Sequence, residues 1–286
     1  MTYLRPTTLD DALGILGAAP HRILAGGTDI YPADASQAGW GGRGIVHADS
    51  APILDITGLD ALSGIRKLPA GVEIGALVTW TEAIESDLPA WFDCVRLAAR
   101  EVGGRQIQNR GTLAGNLCNA SPAADGVPAL LVLDARVRVQ RLGGSREIPL
   151  GAFITGNRST RLRSDELMTA IVIPPPHRAA RSAFLKLGAR RYLVISIAMV
   201  AACLTLEDDR IRDARVAVGA CSEVAQRLTD LEVRLEGSRA ADAPAVVREE
   251  DFAALAPLDD VRSSAAYRRH GARVLVRRAI DSLVRD

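Results

Sequence analysis

Hydrophobic positions recur at helical spacing in several parts of this 286-residue chain. Near the start, Leu9, Leu13 and Leu16 follow two threonines, and acidic residues occupy the first turn, which predicts an amphipathic helix. Residues 79–82 read Thr-Trp-Thr-Glu, the spacing of a capping box that opens a helix. Further helical patterns lie at 90–102 and 263–284.

Strand-like segments separate these helices. Apolar alternation or short apolar runs predict strands at 23–25, 53–56, 72–76, 135–141, 167–173, 183–187, 194–206 and 211–218. Three prolines at 174–176 cannot continue a sheet ladder, so a domain boundary is predicted there. The Gly-rich stretch 31–50 predicts a surface loop. The strands do not alternate regularly with crossover helices, so the pattern predicts an α+β fold and not a doubly wound sheet.

Two glycine-containing turns carry the main chemical signal. The first, at 25–29, reads Ala-Gly-Gly-Thr-Asp and follows an apolar run. The second, at 110–116, reads Arg-Gly-Thr-Leu-Ala-Gly-Asn, and we expect it to be a turn within the stretch 106–134, which leads into the strand-like residues that begin at 135. Small residues let backbone N–H groups approach an anion, and threonine hydroxyls add donors. The two turns, about 85 residues apart, are predicted to converge on one diphosphate, although the first alone is equally a tight bend without a ligand.

These turns and three other segments occur in the order found in one protein family. The other segments are ELMTAIVIP at 166–174, KLGARR at 186–191 and SSAAYRRHGARVLVRRA at 263–279. Over nearly its whole length the chain resembles the FAD-binding medium subunit of the molybdenum hydroxylases, the family of xanthine dehydrogenase and carbon monoxide dehydrogenase. The resemblance implies a PCMH-type FAD domain, of the vanillyl-alcohol-oxidase kind, at 1–176 with subdomains at about 1–58 and 59–176. A C-terminal domain with a small antiparallel sheet and helices, of the carbon monoxide dehydrogenase flavoprotein type, would follow at 177–286.

The resemblance also implies which residues bind FAD. Asp125 is expected to accept hydrogen bonds from ribose or neighbouring hydroxyls, and Lys186 to lie beside the flavin ring, where a cation stabilises the negative charge that develops on reduction. The full expected set is Ala25, Gly26, Gly27, Thr28, Asp29, Gly111, Thr112, Ala114, Gly115, Asn116, Asp125, Met168 and Lys186. No catalytic residue and no metal ligand is expected in this chain.

Some of these assignments have a second interpretation. Asp29 can cap its own turn, Met168 can belong to the core, and Lys186 can be an exposed lysine. The family usually has Gly where this chain has Ala114, so a left-handed backbone at that position would weaken the assignment.

Two other departures from the family pattern lie near the expected flavin. Relatives often carry an aromatic residue in the segment that reads Gly-Asn-Arg at 156–158. They also carry acidic residues where this chain has Leu193 and Val194, which indicates that the electron acceptor differs from that of the best-known members.

Composition argues against several other functions. A formal net charge of +1 gives no general attraction to nucleic acid or to acidic membranes, and only 4% of residues are aromatic, so base-stacking surfaces are scarce. The four cysteines form no CxxC and the four histidines are scattered, which predicts reduced thiols and no metal site. The longest apolar run, 193–206, is too short to span a bilayer, and the start lacks a secretory signal, so we expect a cytoplasmic protein without membrane insertion.

The resemblance implies an electron-transferring oxidoreductase subunit. Electrons would pass from a [2Fe-2S] small subunit and a molybdopterin large subunit, through FAD, to an acceptor such as NAD, a quinone, another carrier or oxygen. Two alternatives stay open: a self-sufficient flavin oxidase of the same fold, and a non-catalytic nucleotide-binding assembly subunit. The arginines of the terminal helix, Arg268 among them, are expected on a solvated basic face, part of which is available to dock another subunit.

Overall fold

The structure, a computed structural model, describes residues 3–31, 52–176 and 179–285. Three main sheets with helices packed against them account for most of these residues. The loop predicted at 31–50 lies, apart from its first residue, outside the described ranges. Within those ranges, none of the helices combines the length and the apolar composition that crossing a bilayer requires.

The first sheet has three parallel strands. In this sheet β1 (Tyr3–Leu4) and β2 (Arg22–Leu24) lie on either side of β3 (Ile53–Asp55). Helix α1 (Leu9–Ala18) joins β1 to β2, and the side chain of its N-cap Thr8 accepts a hydrogen bond from the Asp11 N–H at 3.2 Å. Because β2 and β3 are parallel, their carboxyl ends lie at the same edge of the sheet. The first glycine turn leaves the sheet at this edge.

The second sheet is antiparallel, in the order β4-β5-β10-β6-β7. Its strands and the intervening ribbon β8–β9 are, in chain order, β4 (Ile65–Leu68), β5 (Gly71–Gly75), β6 (Arg136–Arg141), β7 (Gly144–Pro149), β8 (Ile154–Gly156), β9 (Ser159–Thr160) and β10 (Leu167–Ile173). The prediction for β10 is confirmed at both ends.

Five helices connect β5 to β6, and a sixth follows β7. They are α2 (Trp80–Glu85), α3 (Asp93–Glu101), α4 (Arg105–Gln108), α5 (Leu113–Asn119), α6 (Gly126–Leu131) and, after β7, α7 (Leu150–Phe153). The predicted capping box is confirmed at α2, because the Thr79 hydroxyl accepts from the Glu82 N–H at 3.2 Å and the Glu82 carboxylate accepts from the Thr79 N–H at 2.7 Å. The capping box fixes the position of the first turn of α2, which lies beside the second glycine turn.

The third sheet is antiparallel and precedes the terminal helices. Its strands are β11 (Ala180–Leu187), β12 (Ala198–Glu207), β13 (Arg210–Gly219) and β14 (Gln226–Arg227). The helices that follow are α8 (Thr229–Leu235), α9 (Ala243–Val246) and α10 (Ala265–Arg285). The sequence pattern predicted β12 from residue 194, which is wrong by four residues. Leu193 has a left-handed φ of 51°, so the chain turns there and joins the sheet only after the Ile197 N–H donates to the Leu187 carbonyl at 2.7 Å.

The two faces of the third sheet contact different cores. On β12, Met199, Ala201 and Cys203 face the core shared with the first two sheets, whereas the alternate residues Val200 and Ala202 face the terminal helices. The third sheet therefore packs against both halves of the chain. The domain division at 174–176 stays a prediction.

The terminal helix differs from its prediction at one residue. Arg268, expected on the solvated face, is only 5% exposed. Its guanidinium donates to the carbonyls of Ile197 at 2.7 Å and Ala220 at 3.1 Å, and to the Asp260 carboxylate at 2.8 Å. These partners lie outside the helix, two of them in distant parts of the chain, and helical periodicity contains no information about them.

Candidate functional site

The two glycine turns lie in direct contact. A Cβ at Gly26 would stand 1.9 Å from the carbonyl oxygen of Arg110 and 2.9 Å from the Cα of Gly111. A Cβ at Gly111 would stand 3.4 Å from the Thr28 hydroxyl oxygen. Their backbones therefore approach more closely than any side chain at Gly26 would allow, and the predicted convergence of the two turns is present.

The first turn presents a series of backbone donors. Gly27 has a φ of +71°, which favours glycine, and a Cβ there would stand 2.6 Å from the Tyr31 ring. Thr28 and Asp29 form a turn. The N–H groups of residues 26–29 donate to no other described residue. Consecutive N–H groups of this kind form a concavity that favours an anion.

The second turn is the start of a helix. The sequence predicted only a turn at 110–116, whereas the structure shows that α5 begins at Leu113. The strand predicted to follow the stretch 106–134 is confirmed as β6. The Thr112 hydroxyl caps this helix by accepting from the Gly115 N–H at 2.9 Å, which satisfies a donor of the first helical turn. The Trp80 N–H donates to the Gly111 carbonyl at 3.1 Å, and the Leu113 N–H donates to the Val78 carbonyl at 3.1 Å. These bonds hold the second turn against the start of α2.

Ala114 lies in the first turn of α5. It is not among the described residues with a positive φ, so its backbone does not need the freedom of glycine. The left-handed conformation that would have weakened its assignment does not occur. Its side chain is 3% exposed and forms part of the cavity wall.

A cavity of about 430 Å³ lies between the two turns. All but two of the residues predicted to bind FAD line it, namely Ala25, Gly26, Gly27, Thr28, Asp29, Gly111, Thr112, Ala114, Gly115, Asn116 and Met168. The two glycine turns therefore converge on one cavity. Asp29 carries the one charged side chain among the described residues on the wall.

The cavity also has apolar walls that sequence reasoning missed. Ile56 and Ala76 directly follow β3 and β5, and Trp80 directly follows the capping Thr79. The sequence contained no signal for the first two, because their strands end far from both glycine turns along the chain. Trp80 had no signal either, since a tryptophan at the start of a helix is equally a core residue. These walls can contact an aromatic ring.

The position of Met168 is compatible with both of its interpretations, a residue of the cofactor site and a core residue. It is 3% exposed and belongs to the core, and it also lines the cavity. Its sulfur lies 3.4 Å from the Cys118 Sγ, another atom of the wall. Burial raises the pKa of the Cys118 thiol to about 12, so this thiol stays protonated and acts as an apolar surface.

Asp29 and Arg158 lie together at the rim. Arg158 Nη1 is 3.8 Å from the Asp29 carboxylate and also donates to the Asn119 carbonyl at 3.4 Å. Asp29 is therefore paired across the rim, and no bond to its own turn occurs among the described contacts. Arg158 belongs to the segment in which relatives often carry an aromatic residue.

Asp125 and Lys186, the remaining two predicted residues, lie behind the wall and pair with each other. Lys186 Nζ donates to the Asp125 carboxylate at 2.7 Å and to the Glu101 carbonyl at 3.2 Å. The lysine side chain is only 6% exposed, so the interpretation as a solvated surface lysine is wrong. Burial raises the pKa of the Asp125 carboxyl, and the charge of Lys186 and the hydrogen bond from Ser196 oppose that rise.

This site fits a nucleotide cofactor with an anionic linker and an aromatic ring. Gly26 lets the backbones of the two turns meet, and Gly27 allows the left-handed conformation of the first turn. The free N–H groups supply donors, and apolar residues line much of the cavity. An α+β protein in which two glycine turns surround such a cavity belongs to the class of nucleotide-cofactor-binding proteins.

Comparison with known families gives the particular family. The family described as "FAD binding domain in molybdopterin dehydrogenase" matches residues 1–176, and the family described as "CO dehydrogenase flavoprotein C-terminal domain" matches residues 183–283. The chain belongs to the FAD-binding subunits of the molybdenum hydroxylase family. It is an oxidoreductase subunit with FAD as its cofactor.

Individual relatives and solved structures agree. The nicotine 6-hydroxylase medium subunit of Paenarthrobacter nicotinovorans is 30% identical, over 97% of this chain and 95% of its own. The xanthine dehydrogenase FAD-binding subunit of Escherichia coli O157:H7 is 29% identical, over 99% of this chain and 96% of its own. A chain of the reconstituted CO dehydrogenase from Oligotropha carboxidovorans superposes with a TM-score of 0.87 at 27% identity, over 99% of this chain and 97% of that one. The resemblance and the α+β fold predicted from the sequence are confirmed.

Proposed function

We propose that the cavity between the two glycine turns is where this subunit binds FAD, with the diphosphate against both turns. The contact of Gly26 with Arg110 and Gly111 carries this proposal, because it brings donors from both turns to one space. The donors are the N–H groups of residues 26–29 and those of Thr112 and Ala114, which bond to no other described residue. Bound FAD supplies the redox chemistry, and these residues bind and orient it.

Asp125 and Lys186 remain proposed contacts of FAD. An ammonium group has three donors, and Lys186 uses two of them, on Asp125 and on the Glu101 carbonyl. Each oxygen of the Asp125 carboxylate has one described partner, so each can accept a further bond. Because the pair lies behind the cavity wall, a contact with the cofactor requires the wall to move, but it does not require the pair to separate. A lysine that approaches the flavin would favour its reduction.

The partners and the acceptor are also part of the proposal. Electrons reach FAD from a [2Fe-2S] small subunit that is reduced by a molybdopterin large subunit, and then pass to NAD, a quinone, another carrier or oxygen. The name of the nicotine 6-hydroxylase relative, a medium subunit, supports an assembly of several chains. The matched family ranges support domains at 1–176 and 177–286. The separate first and second sheets support subdomains at about 1–58 and 59–176. The four free cysteines support a reducing, cytoplasmic compartment.

Titration with FAD tests the site. The purified chain, alone and with its partner subunits, is titrated while the quenching of flavin fluorescence and the visible absorbance are followed. We expect one FAD per chain. No binding under either condition would rule out the site.

Anaerobic reduction then tests the role in electron transfer. We expect the flavin absorbance to bleach only when partner subunits and the substrate of the complex are both present. Turnover by the isolated chain would support the self-sufficient oxidase instead, and bound FAD that partners cannot reduce would support the assembly subunit.

A further inference from the structure

Four groups meet in a buried cluster behind the cavity wall. The Asp125 carboxylate accepts from Lys186 on one oxygen at 2.7 Å and from the Ser196 hydroxyl on the other at 2.6 Å. Ser196 is 1% exposed and Asp125 is 7% exposed. The Glu101 carbonyl accepts from Lys186 at 3.2 Å. Lys186 and Ser196 come from the chain after the predicted boundary, and the other two groups come from before it.

Two segments of the cavity wall are continuous with this cluster. Glu101, whose carbonyl receives Lys186, directly precedes Val102 of the wall. Asp125 directly precedes Gly126, whose N–H donates to the Asn116 side chain of the wall at 3.2 Å. A shift of Asp125 or Lys186 therefore moves atoms that face the cavity.

Ser196 is held in place by the buried arginine of α10. The Arg268 guanidinium donates to the carbonyl of Ile197, the next residue, at 2.7 Å, and to the Leu258 carbonyl at 3.2 Å. Its other partners, the Ala220 carbonyl and the Asp260 carboxylate, belong to loops of the same half of the chain. The segment that carries Ser196 is irregular, since β12 begins only at Ala198, and the bonds from Arg268 add to the one bond that ties this segment to β11, from the Ile197 N–H to the Leu187 carbonyl at 2.7 Å.

We propose that Ser196, supported by Arg268, is a positioning residue of the cofactor site, which orients the Asp125 carboxylate and thereby the ammonium of Lys186. This inference rests on the proposed function, because it treats the cavity as the FAD site. The C-terminal half of the chain then contributes to cofactor affinity and to the redox behaviour of the flavin through a hydroxyl that does not line the cavity.

The hydroxyl has a specific electrostatic effect. With Ser196 present, one oxygen of Asp125 is engaged by a neutral donor and the other by Lys186. Without the Ser196 hydroxyl, Lys186 is the only described donor to the Asp125 carboxylate. The carboxylate then neutralises the Lys186 ammonium more completely and draws it away from the cavity. The flavin then becomes harder to reduce and binds less tightly.

Ser196→Ala in the full chain tests the proposal, with FAD affinity from fluorescence titration and the reduction potential of the bound flavin from a spectroscopic redox titration. We expect about tenfold weaker FAD binding, on the scale of one weakened hydrogen bond between the Lys186 ammonium and the cofactor, and a more negative potential. Ser196→Thr keeps a hydroxyl at the same position, and we expect it to restore both values towards those of the wild type.

Ser182→Ala is the matched control. Ser182 is also a buried hydroxyl that joins the two halves of the chain, since it accepts from the Cys94 N–H at 2.9 Å and donates to the Trp91 carbonyl at 2.7 Å. It has no described contact with Asp125 or Lys186, so we expect wild-type affinity and potential.

The outcomes are distinguishable. Wild-type affinity and potential in Ser196→Ala would overturn the positioning role while the FAD site stands. An equal loss in Ser182→Ala would also overturn it, because the effect would then be a general loosening of the contact between the halves. A wild-type chain that binds no FAD would instead overturn the proposed function.

Discussion

Gly26 and Gly27 exclude a side chain for two different reasons. At Gly26 the obstacle is the backbone of the other turn, which begins 1.9 Å from the position of a Cβ. At Gly27 it is the left-handed φ of +71°, together with the Tyr31 ring. Backbone cannot move aside as a flexible side chain can, so we expect Gly26 to tolerate a side chain less well than Gly27.

Gly26→Ala is predicted to separate the two turns. Overpacking of this kind costs about 1–3 kcal/mol, and if FAD binding has to bring the turns together again, FAD should bind about five- to 140-fold more weakly. Fluorescence titration measures the change. Gly14→Ala is the control, because no atom lies within 4 Å of its Cβ position in α1, and there alanine should stabilise the protein by up to about 1 kcal/mol. Unchanged FAD affinity in Gly26→Ala would contradict the role of the contact.

Ala114→Gly tests the departure that motivated the assembly-subunit alternative. The backbone of Ala114 is helical, so restoring the family's usual glycine should leave FAD affinity unchanged within about threefold and cost about 1 kcal/mol of stability through helix propensity. Titration and denaturant unfolding measure the two effects. A large gain in FAD affinity would show that the alanine side chain obstructs the cofactor.

At the scale of elements, one ion pair fixes the start of β10, the strand whose first two residues line the cavity. Both oxygens of Glu166 accept from Arg146 on β7, at 2.7 Å and 2.8 Å, and the Arg163 N–H donates to the same carboxylate at 3.0 Å. The Glu166 side chain is 3% exposed. The hydrogen bonds from Arg146 lower the pKa of Glu166 below its ordinary value of 4.5.

This pair predicts a dependence of stability on pH. Because the folded-state pKa is the lower one, the contribution of Glu166 is fully present above about pH 4.5 and is lost as the pH falls through the folded-state pKa. Glu166→Gln should cost about 1–3 kcal/mol at neutral pH and weaken the acid dependence. Urea unfolding between pH 7 and pH 3 measures both effects.

Asp87→Asn is the control for this comparison. Asp87 is fully exposed and pairs with Lys67 at 3.1 Å, so its loss should change the free energy of unfolding very little. If Glu166→Gln changed the free energy of unfolding at neutral pH as little as Asp87→Asn does, the Arg146–Glu166 pair would not stabilise the start of β10.

At the scale of the whole molecule, the third sheet joins the two halves of the chain. One face of β12 packs on the core of the first two sheets and the other on the terminal helices, and the Asp125–Lys186 pair crosses the same boundary. Unfolding of one half therefore exposes apolar surface of the other. We expect the halves to unfold together.

FAD should stabilise the entire chain. At a free concentration one hundred times its Kd, the free energy of unfolding should rise by about 2.7 kcal/mol, in a single transition. Denaturant unfolding with and without FAD, followed by both tryptophan fluorescence and circular dichroism, measures this. Two transitions of which FAD shifts only one would show that the halves are independent.

The sequence alone determined the elements and the chemistry of the turns. Periodicity predicted α1, the capping box at α2 and both ends of β10, because each depends on residues close together in the chain. The two glycine turns identified part of the wall of one cavity, because two turns of the same chemistry suit a single anion although one alone does not. The resemblance extended this to a family that the comparisons confirm.

Only the tertiary structure decided which side chains are partners. It showed that Asp125 and Lys186 bind each other, that Arg268 is buried, and that the second turn starts a helix. The physical reason is that burial and hydrogen bonding depend on what lies opposite a residue in space. The periodicity of a sequence indicates only which face of its own helix or strand a residue occupies. It therefore cannot predict which residues of distant segments will contact that residue.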